Sequence, residues 1–214
     1  MMAERPVFIS NSGKPCFMEK IVSFTYYSGF SLAQKQRSIE SLHRAFDSVC
    51  PGHRVLEISS KSDTGLGVRL SAFNLKFESE TSGSTFFIEN LFQSSKVFEN
   101  GGPYTDLLYV SPKDAKRDER LRTSGKLLRF EYSGKCWPPE PKTMFYDWLY
   151  MTALNQDEEL SSAIMEYDAF TDIEFNPKKS LNCQARSAAI FVSLAKQGLL
   201  TEALADMDIL RQCY

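Results

Sequence analysis

Apolar and polar residues follow two successive patterns near the start of the chain. Over residues 20–27 they alternate, with Val22 and Phe24 on one face, as a half-buried strand requires. Ser31 and Gln34 then form a capping-box pair ahead of apolar residues at helical spacing, which end before Pro51. A strand followed by a helix is predicted here. The first 18 residues contain several turn formers, and we expect them to be a loose leader.

The rest of the chain predicts short strands interspersed with helices. Further predicted strands lie at residues 54–58, 68–77, 85–88, 127–132 and 171–175. Predicted helices lie at residues 89–98, 141–155, after Asp157, from Asn182 to Lys196, and 201–213. Turns are expected at 64–67 and 82–83. This order predicts an α+β fold, with a single domain over 19–214 in which helices surround a small, mostly antiparallel sheet.

Composition narrows the class of protein. The chain has 214 residues and is 43% apolar, enough for one sizeable core, and its net charge of −2 excludes a generally basic protein. Two histidines make a histidine-built metal centre improbable, and we expect no metal and no cofactor. Five scattered cysteines indicate a reducing compartment. With no apolar run long enough for a membrane helix and no signal-peptide pattern, we expect a cytoplasmic protein that does not contact the membrane.

One segment departs from this near-neutral balance. Residues 113–135 hold eight basic and four acidic side chains. Single-stranded DNA can bind along such a surface through its phosphates. The alternative is a charged, solvated helical surface. The candidate DNA contacts are Lys113, Lys116, Arg117 and Arg120.

Three functional side chains share one face of the predicted helix at 89–98. Glu89, Gln93 and Lys96 are spaced at i, i+4 and i+7, so they fall within an arc of roughly 60° on one side of a helix. A carboxylate, an amide and an amine would then converge on one pocket. The alternative is a solvated helix face with a weak ion pair.

Four motifs in order along the chain resemble the NADAR superfamily. They are Leu-Ser-Ala-Phe at 70–73, Ile-Glu-Asn-Leu-Phe-Gln-Ser-Ser-Lys at 88–96, Ala-Leu-Asn-Gln-Asp-Glu-Glu-Leu at 153–160, and Asp172 followed by Asn182. The chain departs from the usual pattern at Ala72, Asn90 and Phe175, where the family typically has asparagine, histidine and a tryptophan-glycine pair.

Two longer segments, residues 92–106 and 166–179, resemble the NADAR proteins that act as antitoxins to DarT-type DNA ADP-ribosyltransferases. This resemblance covers nearly the whole chain. It implies an ADP-ribosyl glycohydrolase that removes ADP-ribose from guanine bases of DNA. The implied partners are ADP-ribosylated DNA, ADP-ribose and the cognate toxin, and whether the toxin is bound directly stays open.

The resemblance also implies roles for individual residues. The bond that joins ADP-ribose to guanine breaks through an oxocarbenium-like state. A carboxylate can stabilise the positive charge of this state or activate the water that attacks it. We expect Glu89 and Asp172 to handle protons and Lys96 to be the covalent or electrophilic group, because a desolvated amine can form a Schiff base. Attack by water without a lysine adduct stays open.

Further residues are candidate substrate contacts. The helix expected to begin at Asn182 could bind the pyrophosphate of ADP-ribose at its N-terminus, assisted by Arg186 one turn later. Ser71 and Trp148 also have ordinary explanations, as an exposed strand residue and a core residue. The substrate-binding candidates are Gln93, Ser71, Asn74, Trp148, Asn182 and Arg186.

Two other functions remain compatible with the sequence. One is an N-glycosidase that acts on a small nucleotide-like metabolite of the riboflavin-pathway type. The other is a module that binds ADP-ribose or the toxin without turnover.

Overall fold

The computed structural model describes residues 1–79, 83–178 and 180–214, and it confirms the predicted α+β class with small, mostly antiparallel sheets. The strands are β1 (Met2–Ser10), β2 (Phe17–Thr25), β3 (Val55–Glu57), β4 (Lys76–Glu78), β5 (Thr85–Phe87), β6 (Lys96–Phe98), β7 (Leu127–Tyr132), β8 (Lys135–Trp137) and β9 (Ala169–Thr171). A short 3-10 helix spans Thr105–Tyr109. The α-helices are α1 (Leu32–Val49), α2 (Gly65–Arg69), α3 (Ile88–Ser94), α4 (Pro112–Arg117), α5 (Arg120–Thr123), α6 (Met144–Gln156), α7 (Glu158–Ile164), α8 (Gln184–Lys196), α9 (Leu200–Ala205) and α10 (Met207–Arg211).

The predicted loose leader is wrong, because β1 is an inner strand. The largest sheet has the order β2-β1-β9-β3, in which β1 pairs antiparallel with β2 and β9, and β3 pairs parallel with β9. Phe8 packs into one hydrophobic cluster, while Val7 and Ile9 pack into a second cluster on the opposite face. A strand that is buried on both faces has consecutive apolar residues instead of alternation, so the alternating pattern of a half-buried strand is missing.

The core consists of these two clusters. The smaller one lies between the sheet and α1, where Ile39, Leu42 and Phe46 are buried. The larger one surrounds α6 and α8, whose apolar residues are buried around most of the helix circumference. Helices α6 and α8 are therefore the central helices of the fold, as the two apolar faces of the predicted helix at 182–196 indicated.

Several predicted elements are correct. Ser31 caps α1 by accepting a hydrogen bond from the backbone N–H of Gln34, and Asp157 caps α7 in the same way through Leu160. The strand predicted at 127–132 matches β7. The predicted turn at 82–83 lies partly outside the described residues. Among the helices of the described ranges, none is both long and apolar enough to cross a membrane.

Four predicted elements are wrong in type or bounds, and the first three of them carry residues of the site. The strand predicted at 68–77 is mostly helix and turn, because Thr64 caps α2, and β4 begins only at Lys76. The helix predicted at 89–98 ends at Ser94, and its last residues form β6 against β7. Helix α8 begins at Gln184 with Cys183 as its N-cap, so Asn182 is not the cap. The helix predicted at 201–213 is divided at Asp206, which caps α10.

Candidate active site

A cleft with two lobes lies where α3, α6 and the segment before α8 meet. The smaller lobe, called here the carboxylate lobe, has a volume of about 290 Å³ and is lined by Glu89, Asp172 and Glu174. The larger, called here the lysine lobe, has a volume of about 660 Å³ and is lined by Lys96, Lys126 and Lys142, together with Phe92, Phe130 and Glu140. The two lobes share five lining residues: Glu89, Lys116, Tyr146, Ser180 and Asn182.

Glu89, Gln93 and Lys96 form one hydrogen-bonded chain along the cleft. Lys96 Nζ donates to Gln93 Oε1 at 2.6 Å, and Gln93 Nε2 donates to Glu89 Oε1 at 2.7 Å. Although Lys96 lies on β6 and not on the predicted helix, the three side chains converge as their spacing indicated. Burial is the main cause that lowers the pKa of Lys96 to about 8, against the opposing charge of Glu89. An amine with this pKa is partly neutral near physiological pH and can act as a nucleophile.

A glycine pair allows the chain to pass close behind Lys96. Gly102 has a φ of +92°, and a Cβ built on it would lie 2.2 Å from the carbonyl oxygen of Lys96. A side chain at this position therefore meets both a backbone clash and an unfavourable φ. Gly101 and Gly102 belong to one of the segments that carry the family resemblance, and this contact gives Gly102 a physical reason to be there.

Asp172 follows directly after β9, at the carboxyl end of the parallel pair formed by β3 and β9. Its Oδ1 accepts hydrogen bonds from the backbone N–H groups of Glu174 and Phe175, and its Oδ2 accepts one from Gln184 Nε2. Burial, and next the negative charge of Glu57, raise the pKa of Asp172 to about 8. Asp172 is therefore mostly protonated at neutral pH and can donate a proton.

The residues shared by both lobes include one that the sequence did not single out. Tyr146 is 5% exposed and lines both lobes, and burial, followed by the charge of Glu89, raises its pKa well above the usual value. It lies within the apolar run of α6 beside Phe145, so nothing in the local pattern separates it from the core. Asn182 also lines both lobes, and its Oδ1 is buried with no hydrogen-bond partner among the described residues.

Gln184 is a second residue that sequence reasoning missed. Besides Asp172, its Nε2 contacts the carbonyl oxygen of Ile58 at 2.6 Å, and its Oε1 accepts from the backbone N–H of Ala72 at 2.8 Å. It thus joins β3, β9 and the segment at 70–73 beside the carboxylate lobe. Ser71, predicted as a substrate contact, lines this lobe on a turn and not on a strand.

The predicted DNA contacts divide into two groups. Lys113, Lys116 and Arg117 line the carboxylate lobe, and Lys116 Nζ lies 3.8 Å from Glu89 Oε2. Arg120 lies outside both lobes, where its guanidinium donates to Asp106 at 2.6 Å and to Asp118 at 2.9 Å. Because two carboxylates already occupy its donors, Arg120 is poorly placed to bind a phosphate.

Three predicted substrate contacts lie outside the cleft. Asn74 donates from its side chain to the carbonyl oxygen of Val68, within a local turn. Trp148 donates to the carbonyl oxygen of Leu204, and its half-buried ring packs 4.8 Å from that of Trp137, away from both lobes. Arg186 is paired with the fully buried Asp147 at 3.1 Å and therefore has a structural partner instead of a place on the cleft.

The fold and the cleft define an α+β protein in which acidic groups and a lysine of lowered pKa face a common cavity. The family model described as DarT1-associated NADAR antitoxin matches residues 3–214. The chain therefore belongs to the family of DarT1-associated NADAR antitoxins, as its motifs indicated. A comparison with curated proteins found no match.

Proposed function

We propose that this protein is an ADP-ribosyl glycohydrolase that removes ADP-ribose from guanine bases of DNA and so reverses the action of a DNA ADP-ribosyltransferase toxin. One observation carries the proposal: the hydrogen-bonded chain of Glu89, Gln93 and Lys96 borders the same cleft as Asp172. A proton donor, a carboxylate and an amine are the groups that cleavage of an N-glycosidic bond requires.

The proposed reaction breaks the bond between C1 of the terminal ribose and the guanine nitrogen. Its electron pair stays with that nitrogen, which receives a proton from the carboxyl group of Asp172. Glu89 stabilises the positive charge that develops on the ribose and accepts a proton from the attacking water. The products are ADP-ribose and unmodified guanine.

Lys96 offers a second route to the same products. Its neutral Nζ attacks C1 as the bond from C1 to the guanine nitrogen breaks, and that nitrogen takes the electron pair and a proton from Asp172. The bond between C1 and the ring oxygen then breaks, the ring oxygen takes a proton from Nζ, and a protonated Schiff base forms. Water hydrolyses this adduct to free lysine and ADP-ribose. Gln93 orients the amine by accepting its hydrogen bond, and the amide is itself oriented by Glu89. This arrangement supports the lysine route, because it fixes the position of a buried amine that borders the cleft.

The test compares two substrates. The protein is incubated with an oligonucleotide that carries one ADP-ribosylated guanine and, separately, with ADP-ribosylated guanosine, and released ADP-ribose is quantified. We expect release from both, with a higher kcat/KM for the oligonucleotide. Equal kcat/KM values would favour the small-metabolite N-glycosidase, and tight binding without release would favour the non-catalytic module.

The binding-module alternative has its own test in cells that express the toxin. Glu89→Gln preserves the size of the side chain and removes its negative charge. We expect this variant to lose toxin neutralisation while the folded protein accumulates normally. Full neutralisation by the variant would indicate that binding, and not turnover, counteracts the toxin.

A further inference from the structure

A second buried carboxylic acid lies behind Asp172. Glu57 is the last residue of β3, is 1% exposed, and lines neither lobe of the cleft. A buried carboxylate without a basic partner is costly, so it needs hydrogen-bond donors. Sequence reasoning missed this residue, because a single glutamate in a short strand is usually exposed.

The hydrogen bonds of Glu57 hold the residues on both sides of Asp172. Thr171 Oγ1 donates to Glu57 Oε2 at 2.6 Å, and the backbone N–H of Ile173 donates to Glu57 Oε1 at 2.8 Å. Both oxygens of one carboxylate therefore fix the segment that carries Asp172. Rotation of this segment would break at least one buried hydrogen bond and leave a buried polar group without its partner.

A histidine extends this arrangement to α1. His43 Nε2 lies 2.8 Å from Thr171 Oγ1. The single hydrogen of the Thr171 hydroxyl is donated to Glu57, so Nε2 of His43 must carry a hydrogen and donate it to Thr171. Burial lowers the pKa of His43 to about 4, which leaves the ring neutral at physiological pH. His43, Thr171 and Glu57 thus form a directed hydrogen-bonded chain that ends beside Asp172.

We propose that Glu57 is the positioning residue of Asp172, because its two carboxylate oxygens fix the backbone on both sides of Asp172 and so hold the Asp172 carboxyl group in place as a proton donor. This inference rests on the proposed function, in which Asp172 protonates the leaving guanine. Glu57 does not touch the substrate, so its effect reaches the reaction through Asp172.

The electrostatics agree with this geometry. Burial raises the pKa of Glu57 as well as that of Asp172, and the charge of Glu57 is the second cause at Asp172. Two nearby carboxylic acids do not ionise together easily, so one of them keeps a proton. Glu57 receives the short bond from Thr171 and the backbone bond from Ile173, which favour its charged form. The backbone N–H groups of Glu174 and Phe175 lower the pKa of Asp172 and so partly offset the effects of burial and of the Glu57 charge.

Other titratable groups face the pair from several elements. They are His43 on α1, Glu174 on the segment after β9, Tyr146 and Tyr150 on α6, and Cys183 before α8. Tyr146, Tyr150 and Cys183 all have pKa values that burial raises far above neutrality, so they stay uncharged between pH 5 and 8. Glu174 also raises the pKa of Asp172, so a variant of Glu174 is the comparison for a variant of Glu57.

The first test is the variant Glu57→Gln, assayed as kcat/KM against pH on the ADP-ribosylated oligonucleotide. Loss of the negative charge lowers the pKa of Asp172, so we expect the alkaline limb of the profile to move down by about one pH unit or more. Glu174→Gln, which removes a more exposed charge, should move it less. A uniform loss of activity with an unmoved alkaline limb would show that Glu57 is merely structural and would overturn the proposal.

A second test does not require a variant of Glu57 to fold. The side-chain carboxyl signal of Asp172 is followed by ¹³C NMR in the wild-type protein, with Asp172→Asn used for assignment. We expect a titration midpoint above pH 7, and a midpoint below pH 5 would overturn the proposal. Because this readout needs no turnover, failure of the proposed function would appear separately, as an absence of ADP-ribose release by the wild-type protein.

Discussion

Two sets of charged groups in the cleft are held in opposite ways. In the carboxylate lobe, Asp172 accepts hydrogen bonds from two backbone N–H groups and from Gln184. In the lysine lobe, the exposed side chains of Lys126 and Lys142 make no hydrogen bond or ion pair with any residue of the described ranges. The comparison indicates two roles. Groups that hydrogen bonds hold in place suit the reacting atoms, which need accurate placement, while lysines without such bonds suit the phosphates of a DNA strand of any sequence.

The largest expected effect concerns Lys96. It lines the lysine lobe, but a hydrogen bond holds its amine in place, as hydrogen bonds hold Asp172 in the carboxylate lobe. If its amine attacks the ribose, Lys96→Ala lowers kcat for ADP-ribose release by about 10⁴-fold or more. The matched control is Lys76→Ala, since Lys76 is exposed on β4 and lines neither lobe. Single-turnover assays measure both variants.

Borohydride reduction separates the two chemical routes. A Schiff base to Lys96 would be trapped as a covalent adduct in the wild-type protein and not in Lys96→Ala. Full hydrolysis by Lys96→Ala would eliminate the lysine route and leave attack by water, with Glu89 as the base.

The next largest effect concerns Asp172. Loss of a general acid in Asp172→Asn should lower kcat by about 10²- to 10⁴-fold. With pKa values of about 8 for both Asp172 and Lys96, wild-type kcat/KM rises toward pH 8 as the amine becomes neutral and falls above it as Asp172 loses its proton. The variant should lose the alkaline limb. A variant that kept this limb would show that another group supplies the proton.

The same substitution should change stability in the opposite direction from activity. The pKa of Asp172 is raised on folding from its ordinary value of about 3.9, so the folded protein binds the extra proton and its stability falls as pH rises from about 4 to about 8. Asp172→Asn cannot ionise and avoids this loss. Thermal unfolding at pH 5 and pH 8 should show a larger gain in Tm for the variant at pH 8, and equal gains would contradict the assigned pKa.

A smaller effect is expected at Asn182, between the lobes. Its buried Oδ1 lacks a partner among the residues described, so a hydroxyl of the bound ribose can donate to it. We expect Asn182→Ala to raise KM about tenfold, which corresponds to the loss of one hydrogen bond in a buried site. Asn74→Ala is the matched control, since Asn74 lies outside the cleft. Equal KM values for the two variants would remove Asn182 from the binding site.

The smallest effect tests the free lysines. Replacing Lys126 and Lys142 together by Gln should lower kcat/KM severalfold on the oligonucleotide at low salt and leave that on ADP-ribosylated guanosine unchanged. The salt dependence of oligonucleotide binding should become shallower. Arg120→Gln, whose guanidinium is already paired with Asp106 and Asp118, should have little effect on either. A larger effect at Arg120 would place the strand along the helical basic segment instead.

The spacing of Glu89, Gln93 and Lys96 predicted their convergence, although the helix that supported this prediction ends before Lys96. The three side chains still converge, because the first residue of β6 lies on the same side as Glu89 and Gln93 of α3 and hydrogen bonds join the three side chains. Asp172 was identified only by family resemblance. Its neighbour Glu57 was missed, because the contact between β3 and β9 joins residues more than 100 positions apart in the sequence.

The predictions that failed at individual side chains share one physical cause. Tertiary contacts decide whether an aromatic or a charged residue belongs to a site, and local pattern does not record them. Trp148 and Arg186 have the chemistry of ligand contacts, yet their polar atoms bind Leu204 and Asp147. Asn182 was expected to cap a helix whose N-terminus binds the substrate. It does not cap α8, but it borders the cleft and so stays a candidate substrate contact.

The most direct test of the proposed function measures the mass of the modified oligonucleotide before and after incubation with the protein. An oligonucleotide with one ADP-ribosylated guanine is incubated with the wild-type protein and with Glu89→Gln, and both strand and small-molecule products are measured by mass spectrometry. The proposed function predicts that the wild-type protein restores the unmodified strand and releases free ADP-ribose in equal amount, while the variant is slowed by about 10²-fold or more. An unchanged strand mass in the presence of bound wild-type protein would contradict it.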